Sequence, residues 1–187
     1  MYTKFYLIRH GDAYPDTLDN IQLPNTPLNE RGKVEAEKLR SRVNKIQSES
    51  LIVLCSTHQR AKETMEISTK NLDVKPIFMK ELVEIGADFW PNPEKLHTRT
   101  TLEPPSYKEE ERKVRIIFED LWKKYNGKTV LIFTHGNWIR ALISNLMGAG
   151  WAGFNKLVIN LTSLTILDES EDGIPLISSV SETAHLI

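Results

Sequence analysis

Phe5-Tyr6-Leu7-Ile8-Arg9-His10-Gly11 is a short, continuously apolar run that stops on an arginine, a histidine and a glycine. A run of this length, rich in aromatic and β-branched residues, predicts a strand covered on both faces. Two further segments follow the same plan. Leu51-Ile-Val-Leu54 leads into Ser56-Thr-His-Gln-Arg60, and Val130-Leu-Ile-Phe133 leads into Thr134-His-Gly-Asn137. Each is followed by a helical pattern.

After Asn29, the residues Ala36, Leu39, Val43 and Ile46 fall on one side of a helix, and a second helical stretch runs from about Gln59 to Leu72. Between Ser106 and Tyr125 the pattern is strongest. Val114, Ile117, Phe118, Leu121, Trp122 and Tyr125 form one apolar stripe, Ser106 and Glu109 are spaced as a capping box, and Gly127 supplies a stop. A further helix from about Asn137 to Met147 turns Ile139, Leu142, Ile143 and Leu146 inward and ends at Gly148-Ala-Gly150. Leu157–Leu161 and Leu164–Leu167 are strand-like. Strands alternating with helices predict an α/β fold: a three-layer α/β/α sandwich with a mainly parallel central sheet, an antiparallel edge strand, and helices on both faces. The segment from Gly86 to Pro105, with Pro91, Pro93, Pro104 and Pro105, is too long for a plain connector and suggests a functional or mobile loop.

At 187 residues the chain fits one domain over 1–187. Its 40% apolar and 26% charged composition is that of an ordinary globular protein. The formal charge of −1 and pI near 6.5 argue against nucleic acid or anionic membrane as a partner, so an anionic substrate needs a local basic pocket. No apolar run approaches a membrane span, and no leader-like segment precedes Phe5. The single cysteine, Cys55, cannot form an intramolecular disulfide, and the chain reads as cytoplasmic.

Ligands of an open α/β sheet bind beyond the carboxyl ends of its strands. If the three strands are parallel, Arg9, Arg60, His10, His135 and in part His58 converge on one rim. Two guanidinium forks suit the equatorial oxygens of a phosphate, and glycines after His10 and His135 allow sharp turns and close approach to a ligand. A neutral imidazole can attack phosphorus without a separate base, while the second histidine can stay protonated and donate to the dianion.

Leu7-Ile-Arg-His-Gly11, Pro27-Leu-Asn-Glu-Arg-Gly32, Cys55-Ser-Thr-His-Gln-Arg-Ala61 and Phe133-Thr-His-Gly-Asn-Trp-Ile-Arg140, in this order, resemble the signatures of the histidine phosphatase, or phosphoglycerate-mutase-like, superfamily. The resemblance covers most of the chain. It implies a phosphatase without cofactor or metal, in which His10 becomes phosphohistidine and Arg9, Arg60, His135 and Gly136 hold the phosphate. The family often carries a proton donor in an L-x-E segment after the third strand, and Leu82-Val-Glu84 makes Glu84 the expected general acid, with Glu81 and Asp88 as rivals. This chain departs from the common R-H-G-Glu-Thr by having Asp12-Ala13. The interval from Arg60 to His135, 135 − 60 = 75 residues, is short beside the glycolytic mutases, which favours hydrolysis over mutase activity.

Leu82 to Pro93 and Ile159-Asn-Leu-Thr-Ser163 resemble, more weakly, a phosphoprotein-directed branch of that superfamily. The substrate class therefore stays open between small phosphorylated metabolites and phosphoproteins, and oligomeric state is unreadable. Competing readings are a phosphoglycerate-mutase-type phosphotransferase, a metal hydrolase using His10, Asp12, His58 and His135 as ligands, and a non-enzymatic phospho-ligand binding module. Asn137 either touches phosphate or caps a helix. Trp90, His97 and Arg99 form a substrate lid or a plain surface loop, with surface position favoured for His97 and His185. Cys55 to Arg60 is one residue short of a cysteine-phosphatase cradle, so a buried thiol is the better reading.

Overall fold

The three apolar runs become neighbouring strands of a six-stranded sheet. In the computed structural model, which describes residues 2–14, 22–46, 48, 50–86, 89 and 102–187, they are β1 (Lys4–Arg9), β2 (Leu51–Ser56) and β4 (Thr129–Thr134), with β3 (Ile77–Met79), β5 (Leu164–Glu169) and β6 (Pro175–Glu182) completing the order β3-β2-β4-β1-β5-β6. β3, β2, β4 and β1 are mutually parallel, β5 is antiparallel to β1, and β6 is antiparallel to β5. The expected three-layer arrangement with an antiparallel edge is therefore present. Its members differ from expectation at that edge. Leu157–Asn160 is irregular, and β5 pairs with β6, a strand whose half-exposed alternation of Leu176, Ser178 and Val180 gave a weaker apolar signal.

Alternation along each central strand fills two cores. Phe5, Leu7, Leu54, Val130 and Ile132 pack on one face with α3 (Tyr107–Lys124), α4 (Gly136–Leu146) and α5 (Gly150–Phe154). Tyr6, Ile8, Val53, Cys55, Leu131 and Phe133 pack on the other with α1 (Glu30–Val43) and α2 (Gln59–Ser68). Successive side chains of a strand point to opposite faces, so each run must be apolar throughout.

Local chemistry sets the helix ends. Asn29 caps α1 by accepting the Gly32 N–H at 2.9 Å, an interaction worth about 1 kcal/mol. Ile46, expected on this helix, lies beyond its end but stays buried. α2 stops at Ser68 rather than near Leu72, where the Ser68 and Thr69 hydroxyls donate back to the Thr64 and Met65 carbonyls and the chain turns. α3 carries the predicted stripe, and Gly127 takes a left-handed φ of 70° after it. The capping box does not form: Ser106 makes no side-chain cap bond, and Glu109 pairs instead with Lys113 at 3.0 Å.

Asp88, Trp90, His97 and Arg99, candidates from the proline-rich segment, lie outside the described residues. Phe89, within it, is buried and packs edge-on against Trp151 and Phe154 and at a tilt against Tyr107. Among the described residues no helix is long and apolar enough to cross a membrane.

Candidate active site

Parallel register brings the ends of the three strands level. Arg9 on β1 pairs with Thr134 on β4, and Cys55 on β2 pairs with Phe133, so His10, His135 and the Ser56–Arg60 segment leave the sheet side by side. The His10 N–H donates to the Thr134 carbonyl at 3.1 Å, and the Thr134 hydroxyl donates to the Leu82 carbonyl at 2.7 Å, which ties the segment after β3 to the same rim. The candidate residues on separate elements thus meet because four strands end at one level.

His10 is almost completely buried. Its Nδ1 lies 2.8 Å from the Gly11 carbonyl, which can only accept, so Nδ1 carries the proton and Nε2 holds the free lone pair. That lone pair accepts the Nε–H of Arg60 at 3.1 Å. Burial, and then the charges of Arg9 and Arg60, hold the His10 pKa well below its ordinary 6.5. The ring is therefore neutral at physiological pH and offers one bare nitrogen.

Arg60 enters from the first turn of α2, where its guanidinium is also fixed by donation from Nη1 to the Leu23 carbonyl at 3.0 Å. Arg9 donates from Nη1 to the Ile159 carbonyl at 2.6 Å, while its buried Nε makes no hydrogen bond. The two forks place two permanent charges beside His10 in a chain of net charge −1.

His135 is buried with its ring centroid 5.1 Å from that of His10, and His58 lies 4.9 Å beyond it. Both are held neutral. Burial and the neighbouring His10 and Arg60 keep His135 well below 6.5, and burial with Arg60 and Lys62 pushes His58 down to about 4. In the protein by itself, burial is the main cause that keeps His135 neutral, with the neighbouring cations adding to it. A neutral imidazole still carries one N–H to offer.

Glu84 follows the 3-10 turn Lys80–Leu82. Its Oε1 accepts the Ile85 N–H at 3.2 Å and the Asn137 N–H at 3.1 Å, so the carboxyl sits against the start of α4. Burial raises its pKa, against the opposing pull of Arg9 and Arg60, and favours the protonated form. Glu81, its rival, is exposed, and its backbone carbonyl accepts from the Trp138 indole. Asn137 does not cap α4, whose N-cap is His135, and its amide donates to the Ile85 carbonyl at 3.2 Å.

The glycines are required by close packing rather than by backbone handedness. Neither Gly11 nor Gly136 has a left-handed φ. A Cβ on Gly11 would lie 2.8 Å from the Gly32 carbonyl oxygen, and one on Gly32 would lie 1.9 Å from that of Asp12, so this glycine pair lets the start of α1 press onto the chain after His10. Gly136 gives room to Arg9, whose Nε would be 3.2 Å from an added Cβ.

Several residues of the site carried no assigned role in the sequence reading. Ser56 Oγ lies 2.8 Å from His135 Nε2, and Thr64 Oγ1 accepts the Gly11 N–H at 3.0 Å. The turn Ile159–Ser163 grips the nucleophile segment: Thr162 N–H donates to the His10 carbonyl and Arg9 N–H donates to the Ser163 carbonyl, each at 3.3 Å. Thr162 does so at φ 53°, a strained conformation for a β-branched residue and unsignalled by its type. Cys55 is a buried thiol pushed up to about 12 by burial, unsuited to nucleophilic attack. Among the described residues, no three His, Cys, Asp or Glu side chains converge as a metal site, and Asp12 instead accepts the Ala13 N–H.

The profile of the "Histidine phosphatase superfamily (branch 1)" matches residues 5–181. The fold matches phosphoserine phosphatase from Entamoeba histolytica, solved with 3-phosphoglyceric acid, at a TM-score of 0.83 and 22% identity, covering 99% of this chain and 100% of that one. It also matches phosphoglycerate mutase from Bacillus anthracis at a TM-score of 0.76 and 20% identity, covering 99% and 95%. In sequence the chain is 28% identical over 151 residues to the bifunctional protein Rv2228c of Mycobacterium tuberculosis, a match spanning 72% of this chain but 41% of that protein's length.

Proposed function

This chain belongs to the histidine phosphatase superfamily, branch 1, and from that membership we propose that it is a metal-independent phosphatase of phosphate monoesters working through a phosphohistidine on His10. The observation that carries the reading is the state of His10: Nδ1 is committed to the Gly11 carbonyl, and the bare Nε2 faces Arg60 with the charge of Arg9 also close by. A neutral, oriented imidazole beside fixed cations suits attack on a phosphate dianion.

In the proposed cycle, Arg9, Arg60, His135 and the start of α4 at Gly136 bind the phosphoryl oxygens. His10 Nε2 attacks phosphorus, the bond to the leaving oxygen breaks, and protonated Glu84 gives that oxygen its proton. The Glu84 carboxylate then takes a proton from water as the water oxygen attacks the phosphohistidine. The P–N bond breaks, inorganic phosphate leaves, and His10 regains its lone pair. Burial of the carboxyl at Glu84 supports the acid role, because it raises the pKa and so favours the protonated form that the role needs.

Residues 1–187 act as one catalytic domain in this reading, in the cytoplasm, with a phosphorylated small molecule or a phosphoprotein as substrate. The short interval between Arg60 and His135 favours water over a second substrate hydroxyl as acceptor. The test is a phosphate-release screen over phosphorylated metabolites, phosphoserine peptides and phosphohistidine peptides, with and without EDTA. The reading requires release by the wild type, undiminished by EDTA and abolished in His10→Ala. Isomerised phosphoester without released phosphate favours the mutase alternative, and binding without turnover favours a phospho-ligand module.

A further inference from the structure

Ser56, the last residue of β2, is completely buried. Its hydroxyl oxygen meets two nitrogens: the His58 backbone N–H at 3.2 Å, which can only donate, and His135 Nε2 at 2.8 Å. On the same imidazole, Nδ1 is buried and makes no hydrogen bond. A hydroxyl has one proton and two lone pairs, and the His58 N–H occupies one of the lone pairs.

Two arrangements of the His135 proton are then possible. With the proton on Nε2, Ser56 would accept twice, and its own buried proton would need a further acceptor. The bare Nδ1 would also be left without a donor. With the proton on Nδ1, the His58 N–H donates to Ser56, the Ser56 O–H donates to Nε2, and each group in the relay is used once. The second arrangement avoids the cost of a buried hydroxyl proton with no acceptor. It also leaves a single N–H, on Nδ1, uncommitted within the protein.

We infer that Ser56 is a positioning residue that fixes His135 as the Nδ1–H tautomer, so that the ring presents a hydrogen-bond donor to the oxygens of a phosphoryl group. This rests on the reading of the site as a phosphoryl-transfer pocket, and it explains which nitrogen of His135 serves an anion. The two rings are thereby set alike and used oppositely. Backbone Gly11 places the proton of His10 on Nδ1 and leaves Nε2 to attack; Ser56 places the proton of His135 on Nδ1 and leaves that N–H to bind.

The test reads tautomers directly and needs no turnover. Long-range ¹H–¹⁵N correlation spectra of the ¹⁵N-histidine-labelled protein, assigned with His135→Gln, are expected to show His135 Nδ1 protonated and Nε2 bare. In Ser56→Ala the His135 tautomers should mix or invert while those of His10 stay unchanged. The affinity for inorganic phosphate, read by calorimetry, should weaken about tenfold, the scale of one hydrogen bond to a charged group. Ser56→Thr, which keeps the hydroxyl, should restore both. A wild-type His135 protonated on Nε2 overturns the inference, as does a Ser56→Ala protein with the tautomer and phosphate affinity of the wild type. If Ser56→Ala does not fold, the wild-type spectrum decides alone. Because the spectrum is read without substrate, a chain that releases no phosphate but shows the Nδ1–H tautomer contradicts the proposed activity and leaves Ser56 in its role.

Discussion

Arg60 donates its Nε–H to Nε2 of His10 across 3.1 Å, so the nitrogen proposed to attack phosphorus is covered by a cation. The incoming phosphate must take that donor for itself, which frees the lone pair as the anion binds. Arg60→Ala is expected to lower kcat/KM by about 10²- to 10³-fold, the usual cost of losing one preorganised donor. Arg60→Lys should recover little, because an ammonium has neither the planar fork nor the Nε–H. Steady-state kinetics on both variants checks this, and near wild-type activity in the lysine variant would count against the fork.

Glu84 joins activity and stability with opposite signs. Glu84→Gln should lower kcat by about 10²- to 10³-fold on alkyl monoesters, within the range of general acid catalysis, and by less on aryl phosphates, whose leaving oxygen needs little protonation. The folded pKa is raised above the unfolded value, so stability is lost as pH rises through the folded pKa and the carboxyl ionises within the protein. Glu84→Gln should therefore raise Tm at pH 8 more than at pH 4.5. Equal loss on both leaving groups would remove Glu84 from the acid role.

The buried histidines predict the opposite pH trend. His10 and His135 titrate well below 6.5 and His58 at about 4, whereas in the unfolded chain each takes up a proton near 6.5. Their contribution is complete above that value and is lost as pH falls toward the folded pKa values, by about 1.4 kcal/mol per pH unit for each proton at the buried His10 and His135 and by less at the partly exposed, solvent-screened His58. Calorimetry should show Tm falling between pH 7 and pH 5, and a smaller fall in His58→Asn. A flat Tm across that range contradicts the buried neutral rings.

The central strands and their polar ends were legible because a strand buried on both faces must be apolar throughout, and its end must then become polar abruptly where the pocket begins. The convergence of Arg9, His10, Arg60 and His135 followed from parallel register alone. What escaped the sequence depends on contacts between distant segments. Ser56 has its place through His135, 79 residues away. Thr162 reaches a left-handed φ that its residue type disfavours, held there by the packing of its turn against β1. β6 was missed because only one of its faces is covered. The capping box was misjudged because spacing alone does not say where Glu109 turns, and it turns to Lys113.

Two glycines separate packing from binding. In Gly32→Ala the new Cβ would meet the Asp12 carbonyl oxygen at 1.9 Å, a backbone atom with little room to move, so a loss of about 1–3 kcal/mol or more is expected. In Gly136→Ala it would meet the Arg9 guanidinium, whose displacement should weaken phosphate affinity with a smaller fall in Tm. Thermal melts with and without inorganic phosphate distinguish the two, and similar behaviour of both variants would contradict this division.

The covalent intermediate is the most direct test. Enzyme quenched in alkali during turnover of a ³²P-labelled monoester should carry base-stable, acid-labile label, and peptide mass spectrometry should place the phosphoryl group on His10. The His10→Ala protein should carry none. Steady release of phosphate by an enzyme that never becomes labelled, or label found on any other residue, would contradict the account.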